Sequence, residues 1–297
     1  MTIKLELAGL ILLISPLLVA ADNTPTHAEL REAHALRHNP SINDALKAIE
    51  AKLKTHPNNA ELWEVHAELR MRNVEEVRLL RKRGQVRQGI EAYERVVELD
   101  PQAYRAQGLL YALYSVLPGM LGGDQDKAEA KMAELEALGQ GLPQFALVMK
   151  ATMEQREDDQ IKHMREAIEA APQRVEYQTS LVRLLIEKED WVGAEEALAA
   201  SLESHPDDIP LRYQRPRMRV LQENTSAEDS ELLNDLIANS DSAPARFLPE
   251  ALYLIRGRSF QLQGLDDEAR ADYEYVHQRT PNLIEEMKLA EYVESLL

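Results

Sequence analysis

The chain of 297 residues has no cysteine. Disulfides, thiolate metal ligands, thiol nucleophiles and a lipid-modified cysteine behind an export signal are therefore all excluded. Positive charge is in deficit as well, with 34 Lys and Arg against 51 Asp and Glu, a net charge of -17 and a pI near 5.0. Neutralising a phosphate backbone requires a basic surface, so this balance argues against nucleic acid as a partner. It suits partners with locally basic faces, and it is also common in freely soluble helical proteins. Catalytic motifs are missing too. There is no Gly-x-Ser-x-Gly elbow and no phosphate-cradling glycine loop, and Gly139-Gln140-Gly141 lacks the third glycine and the preceding strand of a dinucleotide site. His27, His34 and His38 share a helix face through their spacing of seven and four, but Ala35 stands where a catalytic zinc helix would carry glutamate. No metal site and no cofactor are expected, and the chain reads as a non-enzyme.

One apolar run stands at the start. Lys4 precedes a mostly apolar stretch from Leu5 to Val19, broken by Glu6, Gly9, Ser15 and Pro16, and Val19-Ala20-Ala21 supplies small residues ahead of Asp22. This is the layout of a signal peptide over residues 1–21, too short and interrupted for a comfortable membrane span of ~20 residues. The expectation is a cleaved, soluble chain in a bacterial periplasm with no stable membrane insertion; an uncleaved anchor is the competing reading. An exported chain without cysteine also avoids mispairing in an oxidising compartment.

What the rest of the chain has is repetition. In the stretch from Tyr253 to Pro281, Tyr253, Gly257 and Phe260 fall on one stripe of a first helix. Ala269 and Tyr273 fall on the facing stripe of a second, and Pro281 ends the unit. Small residues let two backbones approach while rings fill the space beside them. This order of aromatic, glycine, aromatic, alanine, aromatic and proline resembles the tetratricopeptide repeat, a helix hairpin with a 34-residue period. Arg256 departs from the pattern, standing where an apolar residue is usual.

Prolines 57, 101, 172, 206, 244 and 281 recur near the ends of second helices and divide residues 22–297 into similar units. The hairpins are expected at roughly 26–57, 60–101, 104–140, 141–172, 175–206, 209–244 and 247–281, with an amphipathic capping helix at 283–297. The predicted fold is an all-α, right-handed solenoid of about seven hairpins. The second unit carries about ten surplus residues, read as a lengthened first helix ending near Gly84. In the third, the loop LPGMLGGD places Asp124 as a helix N-cap behind two glycines. In the sixth, Ser226 and Asp229 are spaced for a capping box, and Pro216 is expected to kink the first helix or delay its start.

On a common register, Arg183, Arg217 and Arg258 occupy the same place in the first helices of three successive units. The resemblance implies that first helices line a concave surface, where a row of guanidiniums would bind carboxylates of an acidic peptide or a chain terminus. Tyr213 adds a ring to this candidate peptide-binding site, and Arg212, Arg215 and Arg219 make the sixth unit the most basic short stretch. The competing reading pairs these arginines with Glu and Asp of neighbouring helices. The resemblance further implies a non-enzymatic scaffold holding a protein or peptide segment in an open groove. Because the 117–124 loop is similar to a segment of exported bacterial repeat proteins, the alternative is a solute-binding helper of a transporter, with an enclosed pocket near Leu117 to Gly123.

Overall fold

A computed structural model describes residues 24–287 and 289–296, so the expected signal segment lies outside the described residues. Helix follows helix, and no strand occurs among the described residues. The first hairpin joins α1 (His27–Ala35) to α2 (Ile42–Thr55), the second α3 (Ala60–Glu76) to α4 (Leu79–Leu99), and the third α5 (Tyr104–Val116) to α6 (Gln125–Leu138). The fourth joins α7 (Leu142–Met153) to α8 (Glu157–Ala170), and the fifth α9 (Val175–Glu187) to α10 (Trp191–Ser204). The sixth has a broken first helix, α11 (Ile209–Arg212) and α12 (Gln214–Leu221), before α13 (Ala227–Ala238). The seventh joins α14 (Pro249–Leu262) to α15 (Asp266–Arg279), and α16 (Pro281–Glu286) and α17 (Ala290–Glu294) follow. From the second hairpin on, each pair packs internally, and successive pairs stack, giving the all-α solenoid of tetratricopeptide type.

Short polar side chains start many of these helices. Thr26 and Glu29 form a reciprocal capping box, as do Ser226 and Asp229, while Ser41, Asn59, Asp124, Asp190 and Asp208 each accept a backbone N–H of the first turn. Between α6 and α7, where no proline ends the unit, Gly139, Gln140 and Gly141 turn the chain with φ of 67°, 55° and 72°. Three junctions share a device that the spacing alone did not announce. A side chain six residues beyond the proline donates to the proline carbonyl: Trp63 to Pro57 (2.8 Å), Gln107 to Pro101 (2.8 Å) and Gln178 to Pro172 (2.7 Å).

The nesting of small against large residues is literal. A Cβ on Gly257 would stand 2.7 Å from the ring of Tyr273, which is fully buried, and one on Gly108 would stand 2.9 Å from the Phe145 ring. Arg256, the departure from the repeat pattern, forks onto Asp272 of the facing helix at 2.8 and 2.6 Å and lies over the Tyr253 ring. A bidentate ion pair between the two helices of one hairpin thus replaces an apolar contact.

Two local expectations are corrected and a third is met. The surplus of the second unit does not extend the first helix to Gly84; α3 ends at Glu76 and α4, with 21 residues, contains Gly84. Gly84 meets no neighbouring atom within 4 Å, so nothing stops the helix there. The 283–297 segment is two short helices rather than one. In a straight helix Leu283 and Ile284 would face away from Leu289 and Val293, whereas all four are buried in the core of the last hairpins, and the break at Met287 allows it. Pro216 does act on its helix: the break falls at Tyr213, so the proline sits in the first turn of α12, where no N–H is needed.

Two substitutions test the packing in opposite directions. Gly257→Val is expected to cost about 1–3 kcal/mol through overpacking against Tyr273. Gly84→Ala is expected to add roughly 0.5–1 kcal/mol by removing a helical glycine. Urea unfolding of each variant against the wild type checks both.

Candidate functional site

The first hairpin meets the segment between the sixth and seventh across some 210 positions of sequence. Arg31 donates to Asp241 Oδ1 at 3.0 Å and to the Ser240 carbonyl at 2.9 Å, and His27 Nε2 lies 3.0 Å from the Ala243 carbonyl oxygen. Arg37 donates to the Arg246 carbonyl at 3.1 Å, and Asn282 of α16 to the Asn39 carbonyl at 3.3 Å. The array therefore closes end to end. Its inner face becomes the wall of a half-open cavity of about 530 Å³.

One side of this cavity is held by a cluster of charges. Arg246, in the segment ahead of α14, reaches between Glu64 (3.3 Å) and Glu68 of α3. Arg37 stands 3.6 Å from Glu68, and Arg105 of α5 stands 3.5 Å from Glu64. Burial alone would raise the Glu68 carboxyl, but the charges of Arg246, Arg37 and Arg105, with a hydrogen bond from Arg246, outweigh it and hold the group down to about 2. Arg37 is pushed down to about 10 by burial and then by the like charge of Arg246. Three cations thus share two carboxylates. Arg105 is the least satisfied of them: its buried Nε has no hydrogen-bond partner, and its ion pair to Glu64 is long.

The remaining wall is mixed. Val175, Phe247, Leu248, Ala251 and Leu283 supply apolar surface, Tyr104, Thr179 and Ser180 supply hydroxyls, and Glu176 and Asp208 supply acid. Asp208 is committed to capping Leu211. A few polar groups converging on an apolar cavity of this size is the general form of a small-ligand or peptide-anchor site.

Of the four residues singled out from the sequence, Arg183 alone lines the cavity. It is half-exposed and tied only to Glu187, one turn along its own helix, at 3.1 Å. Arg217 contacts Gln214 within its own short helix at 3.2 Å. Arg258 is buried, paired with Glu223 at 2.9 Å and stacked 3.4 Å from the centre of the Tyr292 ring, so it ties α17 to the last hairpin. Tyr213 is buried behind the wall, edge-on to Phe247 at 5.4 Å. The structure does not bring these four together. Arg212, Arg215 and Arg219 pair with Asp235, Glu195 and Asp229, in line with the competing reading. The cluster itself went unread because Arg37, Glu64, Glu68, Arg105 and Arg246 resemble ordinary surface charges until the ends meet.

The three histidines of α1 and its continuation also diverge. His27 faces the Ala243 carbonyl, and His34 is buried with Nε2 3.1 Å from Glu61, its protonation disfavoured by burial. Among the described residues no group of three or more His, Asp or Glu is placed to hold a metal ion. At the 117–124 loop, Asp124 caps α6 as expected, and Gly123 tolerates no side chain because a Cβ would fall 1.6 Å from the Leu117 carbonyl oxygen. The cleft beside that loop is about 230 Å³, and the inner cavity lies elsewhere.

The charge cluster makes stability depend on pH. Glu68 titrates near 2 when folded and near 4.5 when unfolded, so its contribution is complete above about pH 4.5 and is lost as pH falls toward 2. His66, held down to about 4 by burial and then by Arg70, adds a separate loss between pH 6.5 and 4. Glu68→Gln is expected to flatten the lower window and to cost about 3 kcal/mol at neutral pH, because Arg246 loses one of its two carboxylates and Arg37 loses its own. Urea titrations from pH 7 to 2.5 read both effects.

No family model matches the chain, and no curated protein matches it. Among solved structures it is similar to a tetratricopeptide repeat protein from Parabacteroides merdae, at 16% identity and a TM-score of 0.45, covering 77% of this chain and 88% of that one. It is also similar to yeast Tom70, at 12% identity and a TM-score of 0.38, covering 95% of this chain and 66% of that one.

Proposed function

We propose that this chain is a non-enzymatic, exported scaffold that holds an acidic segment or chain terminus of a protein partner in its inner cavity. The observation that carries this reading is the pair Arg105 and Arg183 facing one mixed cavity, the first short of hydrogen bonds and the second held only by an exposed intrahelical pair. A guanidinium offers a carboxylate two parallel donors, and the apolar wall accommodates the side chains next to it. A cavity of about 530 Å³ holds a few residues, so the anchor is short and its affinity comes from fit. Arg217, Arg258 and Tyr213 support the wall and the C-terminal helices in this reading. Export rests on the N-terminal apolar run and the absence of cysteine.

A second reading is favoured by the closure of the groove: a carboxylate-bearing small solute, as expected of a transporter helper, would occupy the same cavity. Binding of fluorescent acidic peptides, with free or amidated C-termini, separates the two. The scaffold reading predicts a preference for the carboxylate and an affinity about 10- to 100-fold weaker in Arg105→Gln/Arg183→Gln. A rise in melting temperature with small di- or tricarboxylates, without peptide binding, would favour the solute.

A further inference from the structure

We propose that the projecting end of the second hairpin is a contact surface for an anionic lipid bilayer, separate from the inner cavity. Five cations, Arg78, Arg81, Lys82, Arg83 and Arg87, fall within ten positions, and no Asp or Glu occurs between Val77 and Ile90. In a chain of net charge -17 this is a local reversal of sign. In the other cationic stretch, in the sixth unit, Arg212, Arg215 and Arg219 are ion-paired and Arg217 is hydrogen-bonded to Gln214, whereas here Arg87 alone has an ion-pair partner among the described residues, Glu91 at 3.6 Å, and both are exposed. Arg78, Arg81, Lys82 and Arg83 form no ion pair among the described residues. Nor do they serve the helix. They crowd the start of α4, whose first turn holds no acid, and positive charge there opposes the helix dipole. A cost to local stability without a structural return points to an external counter-charge.

The shape selects the partner. With 21 residues against 12 to 14 in most of the other helices, α4 is longer by about 10 Å at ~1.5 Å per residue, and its basic turns occupy the surplus at its start. Beside these turns lies Met120, 71% exposed, which shares a shallow cleft with Arg83 and Arg87. A projecting basic tip with an apolar side chain at its rim suits a flat anionic surface, which takes the charge at its headgroups and the thioether at the acyl boundary. An acidic peptide needs an extended groove, and this cleft is about 230 Å³.

Co-sedimentation of the full chain with vesicles tests this. Vesicles of neutral phosphatidylcholine are compared with vesicles containing phosphatidylglycerol, at low and high salt. The expected result is at least tenfold tighter partitioning onto the anionic vesicles, abolished by high salt and by Arg78→Gln/Arg81→Gln/Lys82→Gln/Arg83→Gln. The N-terminal apolar run is the same in every variant, so the difference between wild type and tip variant on anionic vesicles isolates the tip. A control, Lys47→Gln/Lys54→Gln/Arg165→Gln/Arg270→Gln, removes the same charge elsewhere and is expected to keep that increment; circular dichroism confirms that both variants fold. Equal partitioning on the two vesicle types, or an increment that survives the tip substitutions, overturns the proposal. Retention of polyglutamate by the wild type without preference for anionic vesicles overturns it in favour of an acidic protein partner.

Discussion

A half-buried set of charges, with Arg246 between Glu64 and Glu68 and Arg37 and Arg105 beside them, decides what kind of object this chain is. Stacked hairpins ordinarily interact only with their neighbours, and the ends of such an array have one neighbour each. Here the first two hairpins and the segment before the last one share carboxylates and guanidiniums, so the ends support each other. An apolar seam of the same area would tolerate sliding. Charged groups deprived of water tolerate little displacement, because each one left unpaired carries a desolvation cost of several kcal/mol. The closure therefore fixes the width of the inner space as well as the position of its arginines.

Within hairpins and between neighbouring ones the work is done by volume rather than charge. Gly257 under Tyr273, Gly108 under Phe145 and Gly89 under Met71 bring helix axes together at spacings that larger residues forbid. Every unit then presents its first helix at a related angle, and the sum of those angles brings the ends together. Where a unit departs from the pattern, the chain substitutes another device of comparable strength: the Arg256–Asp272 fork in the seventh, the three-residue turn at 139–141 in the fourth, and the break at Tyr213 in the sixth.

These two levels explain what was legible in the sequence. Alternation of small and bulky residues, the recurrent prolines and the capping residues all act over a few turns, so Asp124, the Ser226–Asp229 box and the succession of hairpins were readable in advance. The surplus of the second unit was visible, but its division between α3 and α4 was not, because Gly84 marks no boundary when nothing packs against it. Contacts across some 210 positions depend on the accumulated geometry of every intervening unit. A common register placed Arg183 on the inner face, yet it failed for Arg258, whose side chain is drawn to Glu223 and the Tyr292 ring. Register fixes where a side chain starts, and the nearest counter-charge fixes where it ends.

The proposed capture of a carboxylate-bearing segment rests on the inner face that forms where the ends meet, with Arg105 and Arg183 on one cavity wall. The absence of native cysteine allows closure to be measured directly, with spin labels attached to Glu32→Cys and Ser242→Cys on the two sides of the seam. The account predicts a short, narrow distribution of inter-label distances that broadens and lengthens when Arg246→Ala removes the central guanidinium. A broad, long distribution in the otherwise wild-type chain, or a narrow one indifferent to Arg246, would contradict it.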